Sequence, residues 1–393
     1  MSEVIMNSSS TNSEAFVVHE VEGRVGCITL NRAKALNALS LDMVRMFTKA
    51  LIEFQNNPQV LAVLVRGRGK EEPFGHFCAG GDIRFFHQAA LAGDESLGDF
   101  FTEEYALNHL IHTYSKPYIA FMDGVVMGGG MGISQGASVR IVTDRTQMAM
   151  PETHIGLFPD VGGGYFLSRC PGHLGEYLGL TGQKINGHQA ILAGLADGLI
   201  EAQRLPVIWK TLLSTPFESG EAVERWVQSQ FTKFEPAQFP DKAAIDKCFA
   251  RPSPLEISLA LAQENSAWAD QTLASLNKAS PLMVHVVLAQ IRKARSMGLA
   301  DDLRMERDMV HHCFHLRPKS ETVEGIRALA IDKDHHPQWA HAQLSDVVQD
   351  EWPLFFESPW TPATHPLRHL NWAQLSGCGF SWPAPLRACL RDL

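Results

Sequence analysis

The chain has 393 residues, of which 45% are hydrophobic and 20% charged, and its formal net charge is −9 at pH 7. These values are typical of a globular protein with one large domain and an appendage, or with two domains. The negative charge disfavours nucleic acid or an anionic membrane as the main partner. No apolar run approaches the roughly 18 residues of a membrane span, so we expect no membrane partner.

The cysteines and the first residues bear on the compartment. Seven cysteines are scattered along the chain without a CxxC pair, which predicts neither a disulfide framework nor a zinc site. Residues 1–15 are rich in Ser and Asn and contain no Lys or Arg. We interpret them as a disordered tail, because a secretory signal needs an apolar core and a transit peptide needs basic residues. A cytoplasmic location is therefore expected.

Residues 16–215 alternate predicted strands with predicted helices. The strands are expected at 16–20, 25–30, 60–65, 117–122, 139–142 and 147–150, and helices are expected from Ser40 to Phe54, from near Asp82 and from Phe101 to Tyr114. Such alternation predicts an α/β architecture built in layers.

Beyond about residue 168 the pattern becomes mainly helical, and residues 216–350 are predicted to form a helical C-terminal region. Its helices are expected at 221–231, 243–249, 255–273, 280–298 and 303–314, after two earlier ones at 174–180 and 187–194. Residues 351–393 hold four of the eight tryptophans and many prolines. They predict an irregular tail that packs through its aromatic rings or forms an interface.

Two carboxylates stand eight residues apart in the apolar, glycine-rich run from Pro151 to Gly164. These are Glu152 and Asp160. In one interpretation each acid caps a nearby helix or turn. In the other, both are buried, and burial raises the pKa as proton transfer near neutral pH requires.

Two small-residue loops surround these acids in the sequence. The segments 77–83 and 123–132 each lead into a predicted helix, so each presents free backbone N–H groups at a helix start. Two such groups that converge from separate loops would form an oxyanion hole. Neither GxGxxG nor GxxxxGK[ST] occurs, which disfavours a dinucleotide site and a P-loop. The pattern therefore predicts carbonyl activation by backbone donors, with carboxylates that move protons.

The same residues resemble a known family. The segments 28–32 and 35–39, the Cys78–Ile83 loop and the Gly128–Gly130 turn are similar to the crotonase (enoyl-CoA hydratase/isomerase) superfamily. The run from Met150 to Tyr165, with 100–105, 324–328 and 331–334, resembles its 3-hydroxyisobutyryl-CoA hydrolase branch. The resemblance covers about residues 16–350. It implies a spiral of ββα units with two roughly perpendicular sheets in 16–215, and an acyl-CoA substrate.

Roles for individual residues follow from this resemblance. It implies that the N–H groups of Ala79 and Gly129 hold the thioester oxygen. Glu152 would act at the thioester, as general base or as nucleophile, with Asp160 as its partner. The remaining implied contacts are to substrate, by Glu104, Gly128, Gly130 and Asp82, and to CoA, by Arg32, Lys34 and Ala35.

One departure from the family distinguishes its branches. Enoyl-CoA hydratases carry an acid at the position of Gly132, and glycine cannot move a proton. The second acid stands instead at Asp160, which favours thioester hydrolysis over water addition. A hydratase or isomerase, and a non-catalytic acyl-CoA- or RNA-binding protein, remain alternatives.

Other candidate groups are assigned structural roles. Cys78 is interpreted as a small buried residue rather than a nucleophile. The histidines lack the spacing of a metal site, so no metal and no cofactor other than the CoA of the substrate is expected. The resemblance also implies a homo-oligomer, either a trimer or hexamer as in the superfamily or a smaller assembly.

Overall fold

A computed structural model describes residues 15–70, 72–235, 237–315 and 320–370. Most of the predicted N-terminal tail and the end of the tryptophan-rich segment therefore lie outside the described residues. The strands are β1 (Val17–Glu22), β2 (Val25–Leu30), β3 (Ala62–Gly67), β4 (Tyr118–Met122), β5 (Val125–Met127), β6 (Val139–Val142), β7 (Gln147–Ala149), β8 (Ile185–Asn186) and β9 (Gly198–Leu199).

The helices lie between and after the strands. They are α1 (Leu41–Asn56), α2 (Ile83–Ala92), α3 (Ser96–His112), α4 (Gly129–Gln135), α5 (Gly163–Leu167), α6 (Leu174–Thr181), α7 (Gly187–Leu192), α8 (Leu205–Ser214), α9 (Gly220–Gln228), α10 (Lys242–Phe249), α11 (Pro254–Ala262), α12 (Ala267–Leu276), α13 (Pro281–Ala294), α14 (Leu299–His315) and α15 (Glu321–Ile326). Within the described ranges, every helix is too short or too polar to traverse a lipid bilayer.

The larger sheet has the strand order β1-β2-β3-β4-β6-β9. Strands β1 and β2 form an antiparallel hairpin, and each later pair is parallel, with Val25 opposite Ala62 and Val63 opposite Tyr118. Parallel neighbours require crossovers, which the intervening helices supply. The α/β class predicted from the alternating pattern is confirmed.

Both faces of this sheet are covered. In β3, Ala62 and Leu64 join a core cluster formed with α8 and α9, whereas Val63 and Val65 join the main core with α1 and α3. Successive strand residues point to opposite faces, so an unbroken apolar run fits a strand that is buried on both sides. The sheet is thus a rigid support for the loops at its ends.

A smaller sheet, β5-β7-β8, carries the loops that matter most for function. Strand β5 directly precedes the glycine turn, and β7 ends two residues before Pro151. A parallel bridge between Cys78 and Val126 attaches the Cys78–Ile83 loop to the same sheet. The three sequence segments singled out above are therefore anchored side by side.

Two helix starts agree with the sequence, and one predicted helix is wrong. Ser40 and Asp82 cap α1 and α2 by accepting the N–H groups of Met43 and Phe85. The expected helix 255–273 is instead two helices, α11 and α12. The chain breaks at Asn265, whose φ is 50°, and Ser266 then caps a new helix. Serine favours the N-cap position, so a serine inside an apolar helical pattern can mark the start of a second helix.

The C-terminal helices pack against the segment that carries the two acids. Helix α13 contacts α5, α14 contacts α3 and α5, and α15 contacts the turn Glu152–Ile155. Through residue 370 the tail lies on α14, with Phe355 and Leu367 buried. The domain boundaries given above stay a prediction.

Candidate active site

The segment after β7 has an unusual backbone. Glu152 begins a 3-10 turn, Glu152–Ile155, which Gly156 ends with a φ of 66°. Asp160 is followed by Val161 and Gly162, whose φ values are 59° and 88°. A β-branched residue at positive φ is strained, and such strain persists only where surrounding contacts impose it.

Neither acid caps a helix with its side chain. Both are buried, each 6% exposed, and the residues at the N-cap positions of the 3-10 turn and α5 are Pro151 and Gly162. Within the described part of the chain, Oε2 of Glu152 has no hydrogen-bond partner. Oδ2 of Asp160 accepts the hydroxyl of Tyr105 at 2.9 Å. The capping interpretation is therefore wrong, and the burial that the other interpretation requires is confirmed.

Helix α3 brings a third acid to the same place. Glu103 is fully buried and forms a two-bond ion pair with Arg45, at 2.7 and 2.8 Å, so its role is structural. Glu104 is also buried, and its Oε1 lacks a partner among residues with described positions. That oxygen lies 2.5 Å from the place where a Cβ on Gly129 would stand. Glu104 therefore faces the glycine turn.

The glycine turn makes room for these acids. Gly128 has a φ of 47°, and a Cβ on it would lie 3.0 Å from Oε1 of Glu152. A side chain on either Gly128 or Gly129 would occupy the space beside the carboxyls. Gly130 differs, because a Cβ there would collide with the backbone carbonyl of Cys78. Its absent side chain serves packing, so the structure gives no support to Gly130 as a substrate contact.

The three carboxyls influence one another. Burial, and then the charge of Asp160, raise the pKa of Glu152 and that of Glu104 well above their usual range. Burial raises the pKa of Asp160 to about 7, and the hydrogen bond from Tyr105 opposes that rise. Carboxyls that share a buried space cannot all be ionised at once. The site can therefore hold and move protons near neutral pH.

Gly132 has no space for an acid. A Cβ on Gly132 would lie 2.6 Å from Cβ of Val161 and 2.9 Å from Nδ2 of Asn108. The strained residue that follows Asp160 thus fills the position at which hydratases carry an acid. The absence of an acid at position 132, noted in the sequence, is thus accompanied by a lack of space for one.

Gly132→Ala is expected to destabilise the protein by about 1–3 kcal/mol, since overpacking a filled core costs that much. The added methyl group pushes Val161, so kcat for the reaction should fall as well. Thermal unfolding and turnover check both effects. Wild-type stability and turnover in the Gly132→Ala variant would contradict the close contact.

The prediction that the N–H of Ala79 lies in the oxyanion hole is wrong. Its N–H is already donated to the carbonyl oxygen of Leu36 at 3.0 Å. Leu39 bonds to the groups on both sides of Gly81, accepting the N–H of Asp82 and donating to the oxygen of Gly80. In such a parallel bridge the N–H of Gly81 points to the opposite side. The N–H of Gly81 is therefore available to a ligand, and no bond from it is found among the described residues.

Gly129 retains a free N–H. It is the first residue of α4, where no intrahelical acceptor exists, and no bond from its N–H is found among the described residues. The two loops are in contact, since a Cβ on Gly80 would lie 3.7 Å from the nitrogen of Gly129. The N–H groups of Gly81 and Gly129 thus come from two loops in contact, beside the carboxyls of Glu104 and Glu152.

Asp82 and Arg32 are bound to each other. The guanidinium of Arg32 donates to Oδ2 of Asp82 at 2.7 Å and to the carbonyl oxygen of Ala38 at 2.9 Å. Oδ1 of Asp82 caps α2. Both oxygens of Asp82 are occupied, so its predicted substrate contact is not supported. The ion pair shapes the loop that carries Gly81.

A cleft of about 560 Å³ opens beside the 3-10 turn Ala33–Ala35. Ala33 lines it, while Lys34 is exposed on the same turn. Its basic lining was not predicted: Arg68, Lys70 and His76 come from one charged loop, and Arg145, which is paired with Asp123, comes from a distant segment. The charges of the loop were the available signal, but only the fold brings them beside the 3-10 turn.

Other polar residues at the site were also missed. Tyr105 follows Glu104 directly, and both side-chain polar atoms of Asn108 lack a partner within the described ranges. The available signal for them was the set of polar residues at positions 104, 105 and 108, which lie on one side of a buried helix.

Cys78 is buried, and burial raises the pKa of its thiol to about 12, which agrees with a packing role. No group of three or more His, Cys, Asp or Glu side chains in the described ranges is placed to hold a metal ion.

Sequence comparisons identify relatives along most of the chain. The protein named 3-hydroxyisobutyryl-CoA hydrolase, mitochondrial, of Gallus gallus is 38% identical over 346 residues, which cover 86% of this chain and 88% of that protein. The protein of the same name from Rattus norvegicus is 37% identical, covering 90% and 91%. 3-Hydroxyisobutyryl-CoA hydrolase 1 of Arabidopsis thaliana is 36% identical, covering 88% and 92%.

Solved structures share the fold. A carnitinyl-CoA dehydratase from Mycobacterium thermoresistibile matches with a TM-score of 0.79 and 34% identity, covering 87% of this chain and 96% of that one. An enoyl-CoA hydratase from Rhodobacter sphaeroides matches with a TM-score of 0.79 and 33% identity, covering 88% and 98%. A family model described as enoyl-CoA hydratase/isomerase matches residues 25–356. The chain therefore belongs to the crotonase, or enoyl-CoA hydratase/isomerase, family.

Proposed function

We propose that this protein hydrolyses the thioester of 3-hydroxyisobutyryl-CoA to 3-hydroxyisobutyrate and CoA. The names of relatives with 36–39% identity over most of the chain support this activity. The observation that carries it is the placement of the acids. Asp160 shares the buried space of Glu152, while Val161 and Asn108 fill the position of the hydratase acid.

The reaction begins with the thioester oxygen on the N–H groups of Gly81 and Gly129. These donors stabilise the charge that develops on oxygen when the carbonyl carbon is attacked. They are backbone groups fixed by a strand bridge and a helix start, so no reorganisation is needed at the moment of reaction.

The new bond between the acyl carbon and oxygen forms with the help of Glu152 by one of two routes. As general base, it takes a proton from water whose oxygen attacks the carbonyl carbon. As nucleophile, it forms an anhydride that water then cleaves. In both routes the carbon–sulfur bond breaks and the CoA sulfur takes a proton, which Asp160 supplies in this proposal. Single-turnover hydrolysis in heavy-oxygen water distinguishes them, since only the anhydride route transfers the label to Glu152.

Glu104 binds the 3-hydroxyl of the acyl group in this proposal. Its unpartnered Oε1 beside Gly129 can accept a hydrogen bond from that hydroxyl. A buried acceptor without a partner is costly, so it favours acyl groups that carry a donor at this position. 3-Hydroxypropionyl-CoA carries the same hydroxyl and is a second expected substrate.

The basic cleft binds the phosphates of CoA in this proposal. Arg68→Gln with Lys70→Gln should raise KM by about tenfold and leave kcat nearly unchanged, because exposed charges that bind a phosphate act on binding rather than on chemistry. Steady-state kinetics with increasing salt check this, since added salt should reduce the difference. Lys49→Gln, a surface change away from the cleft, is the control. An unchanged KM in the double variant would place the nucleotide elsewhere.

A hydratase is the second candidate, because the solved structures at 33–34% identity are named hydratase and dehydratase. The test is thiol release from 3-hydroxyisobutyryl-CoA by the purified protein, with 3-hydroxyisobutyrate measured in parallel. Equal amounts of thiol and acid support hydrolysis. Background thiol release, with loss of crotonyl-CoA absorbance, supports the hydratase.

The wider setting stays a prediction. The proposed reaction is a step of valine breakdown. A cytoplasmic location is also only predicted, and the names of the Gallus gallus and Rattus norvegicus relatives place those proteins in mitochondria. A homo-oligomer and the absence of a cofactor other than the CoA of the substrate remain expectations.

A further inference from the structure

Helix α14 places two more buried acids next to residues 159–165, the turn that carries Asp160. Asp302 and Glu306 stand four residues apart, on one face of the helix, and neither is exposed to solvent. Burying carboxyls is costly unless hydrogen bonds compensate. Their partners therefore indicate what they do.

Glu306 binds the backbone that follows Asp160. Its Oε2 accepts the N–H of Gly162 at 2.7 Å, and its Oε1 accepts the N–H of Gly164 at 3.0 Å. Asp302 accepts the next N–H, that of Tyr165, at 2.8 Å. These donors belong to the first turn of the short helix α5 or directly precede it, where no intrahelical acceptor exists.

Gln290 of α13 binds the backbone on the other side of Asp160. Its Nε2 donates to the carbonyl oxygen of Pro159 at 2.6 Å and to Oε1 of Glu306 at 3.1 Å. One buried network thus holds the residue before Asp160 and the residues after it. The side chains that form this network belong to the C-terminal helices α13 and α14.

The backbone between these anchors would not keep its shape unaided. Val161 and Gly162 have φ values of 59° and 88°. A non-glycine residue in that region costs about 1–3 kcal/mol and persists where outside contacts impose it. The two hydrogen bonds that Glu306 accepts from Gly162 and Gly164 are among those contacts. Without them the turn can relax, and the Asp160 carboxyl then moves relative to Glu152 and Tyr105.

We propose that Glu306 is a positioning residue for Asp160, acting through the N–H groups of Gly162 and Gly164. This inference rests on the proposed function for its kinetic consequence. In this proposal Glu306 contacts neither the substrate nor the reacting atoms. Helix α14 thereby takes part in catalysis, because its Glu306 fixes the position of Asp160, the proposed proton donor to the leaving sulfur.

Glu306→Ala tests the proposal. Removing both acceptors should lower kcat by about 10–100-fold, since a small misplacement of a catalytic group costs that much, while KM changes by less than about threefold. Glu306→Gln keeps the volume and one acceptor oxygen, so its loss should be smaller. It also serves if the alanine variant does not fold. Glu176→Gln removes another buried acid, paired with Arg295, and should retain kcat per folded molecule.

A double-mutant cycle separates positioning from a purely structural role. In the Asp160→Asn background, a change at Glu306 should lower kcat by no more than about twofold further, because coupled residues are not additive. Undiminished loss in that background overturns the proposal. Wild-type kcat in a folded Glu306→Ala variant overturns it as well.

Hydrogen exchange gives a readout that needs no turnover. The amides of Gly162 and Gly164, followed by mass spectrometry in peptides that span 157–167, should exchange at least about tenfold faster in Glu306→Ala. Unchanged protection contradicts the proposal. If the wild-type protein releases no thiol, the proposed function has failed, and the exchange result still decides whether Glu306 holds this turn.

Discussion

Glu152→Gln is expected to lower kcat for thiol release from 3-hydroxyisobutyryl-CoA by about three orders of magnitude or more. The amide has the same shape, but it can neither take a proton from water nor form an anhydride. Since the predicted CoA-binding residues lie on other loops, the Kd for CoA should change by less than about threefold. Thiol release and calorimetric titration with CoA measure the two effects.

Glu103→Gln is the matched control for this change. Glu103 is equally buried but belongs to an ion pair with Arg45, so its loss should lower stability and leave kcat per folded molecule intact. Full activity of the Glu152→Gln variant would remove Glu152 from the mechanism.

Asp160→Asn is expected to lower kcat by about 10²–10⁴-fold, the usual range for a lost general acid or base. The Tyr105 hydroxyl can still donate to the amide oxygen, so the fold should survive. KM should change little. A variant with unchanged kcat would assign the proton transfer to another group.

The same variant should reveal the cost of this buried acid through its pH dependence. The pKa of Asp160 rises from an ordinary 3.8 to about 7 in the folded protein. Between those values the folded state binds more protons than the unfolded state, so Asp160 makes wild-type stability fall as pH rises through that window. Asparagine does not titrate. The melting temperature of Asp160→Asn relative to wild type should therefore increase from about pH 4 to about pH 7 and then level off.

Thermal unfolding at several pH values checks this result. A difference that is the same at acidic and alkaline pH would contradict the raised pKa. Because Glu104 and Glu152 share the space, neutralising Asp160 should also make it easier for either of them to ionise.

Much of the frame follows from local pattern. The continuous apolar run in β3, the capping residues Ser40 and Asp82, and the glycine turn each depend on neighbours in sequence, and each is where the pattern places it. The helix expected at 255–273 is wrong for an equally local reason, the left-handed Asn265 before Ser266.

The site was less accessible to sequence reasoning, because its contacts join distant segments. Tyr105 and Asp160 are 55 residues apart, and Glu306 reaches Gly162 across 144 residues. The family resemblance was taken to imply Ala79 as an oxyanion donor, and the sequence does not reveal that Leu36 already accepts the N–H of Ala79. Likewise, no sequence pattern shows that Val161 fills the space beside Gly132.

This arrangement of acids is expected to cut a thioester rather than to hydrate a double bond. The most direct test presents the purified protein with 3-hydroxyisobutyryl-CoA and crotonyl-CoA under the same conditions and compares kcat/KM for thiol release with kcat/KM for loss of the crotonyl absorbance. We predict a ratio of about 100 or more in favour of thiol release, since Gly132 and its surroundings leave hydration without its second acid. Rapid loss of crotonyl absorbance, with thiol release at background, would contradict the account.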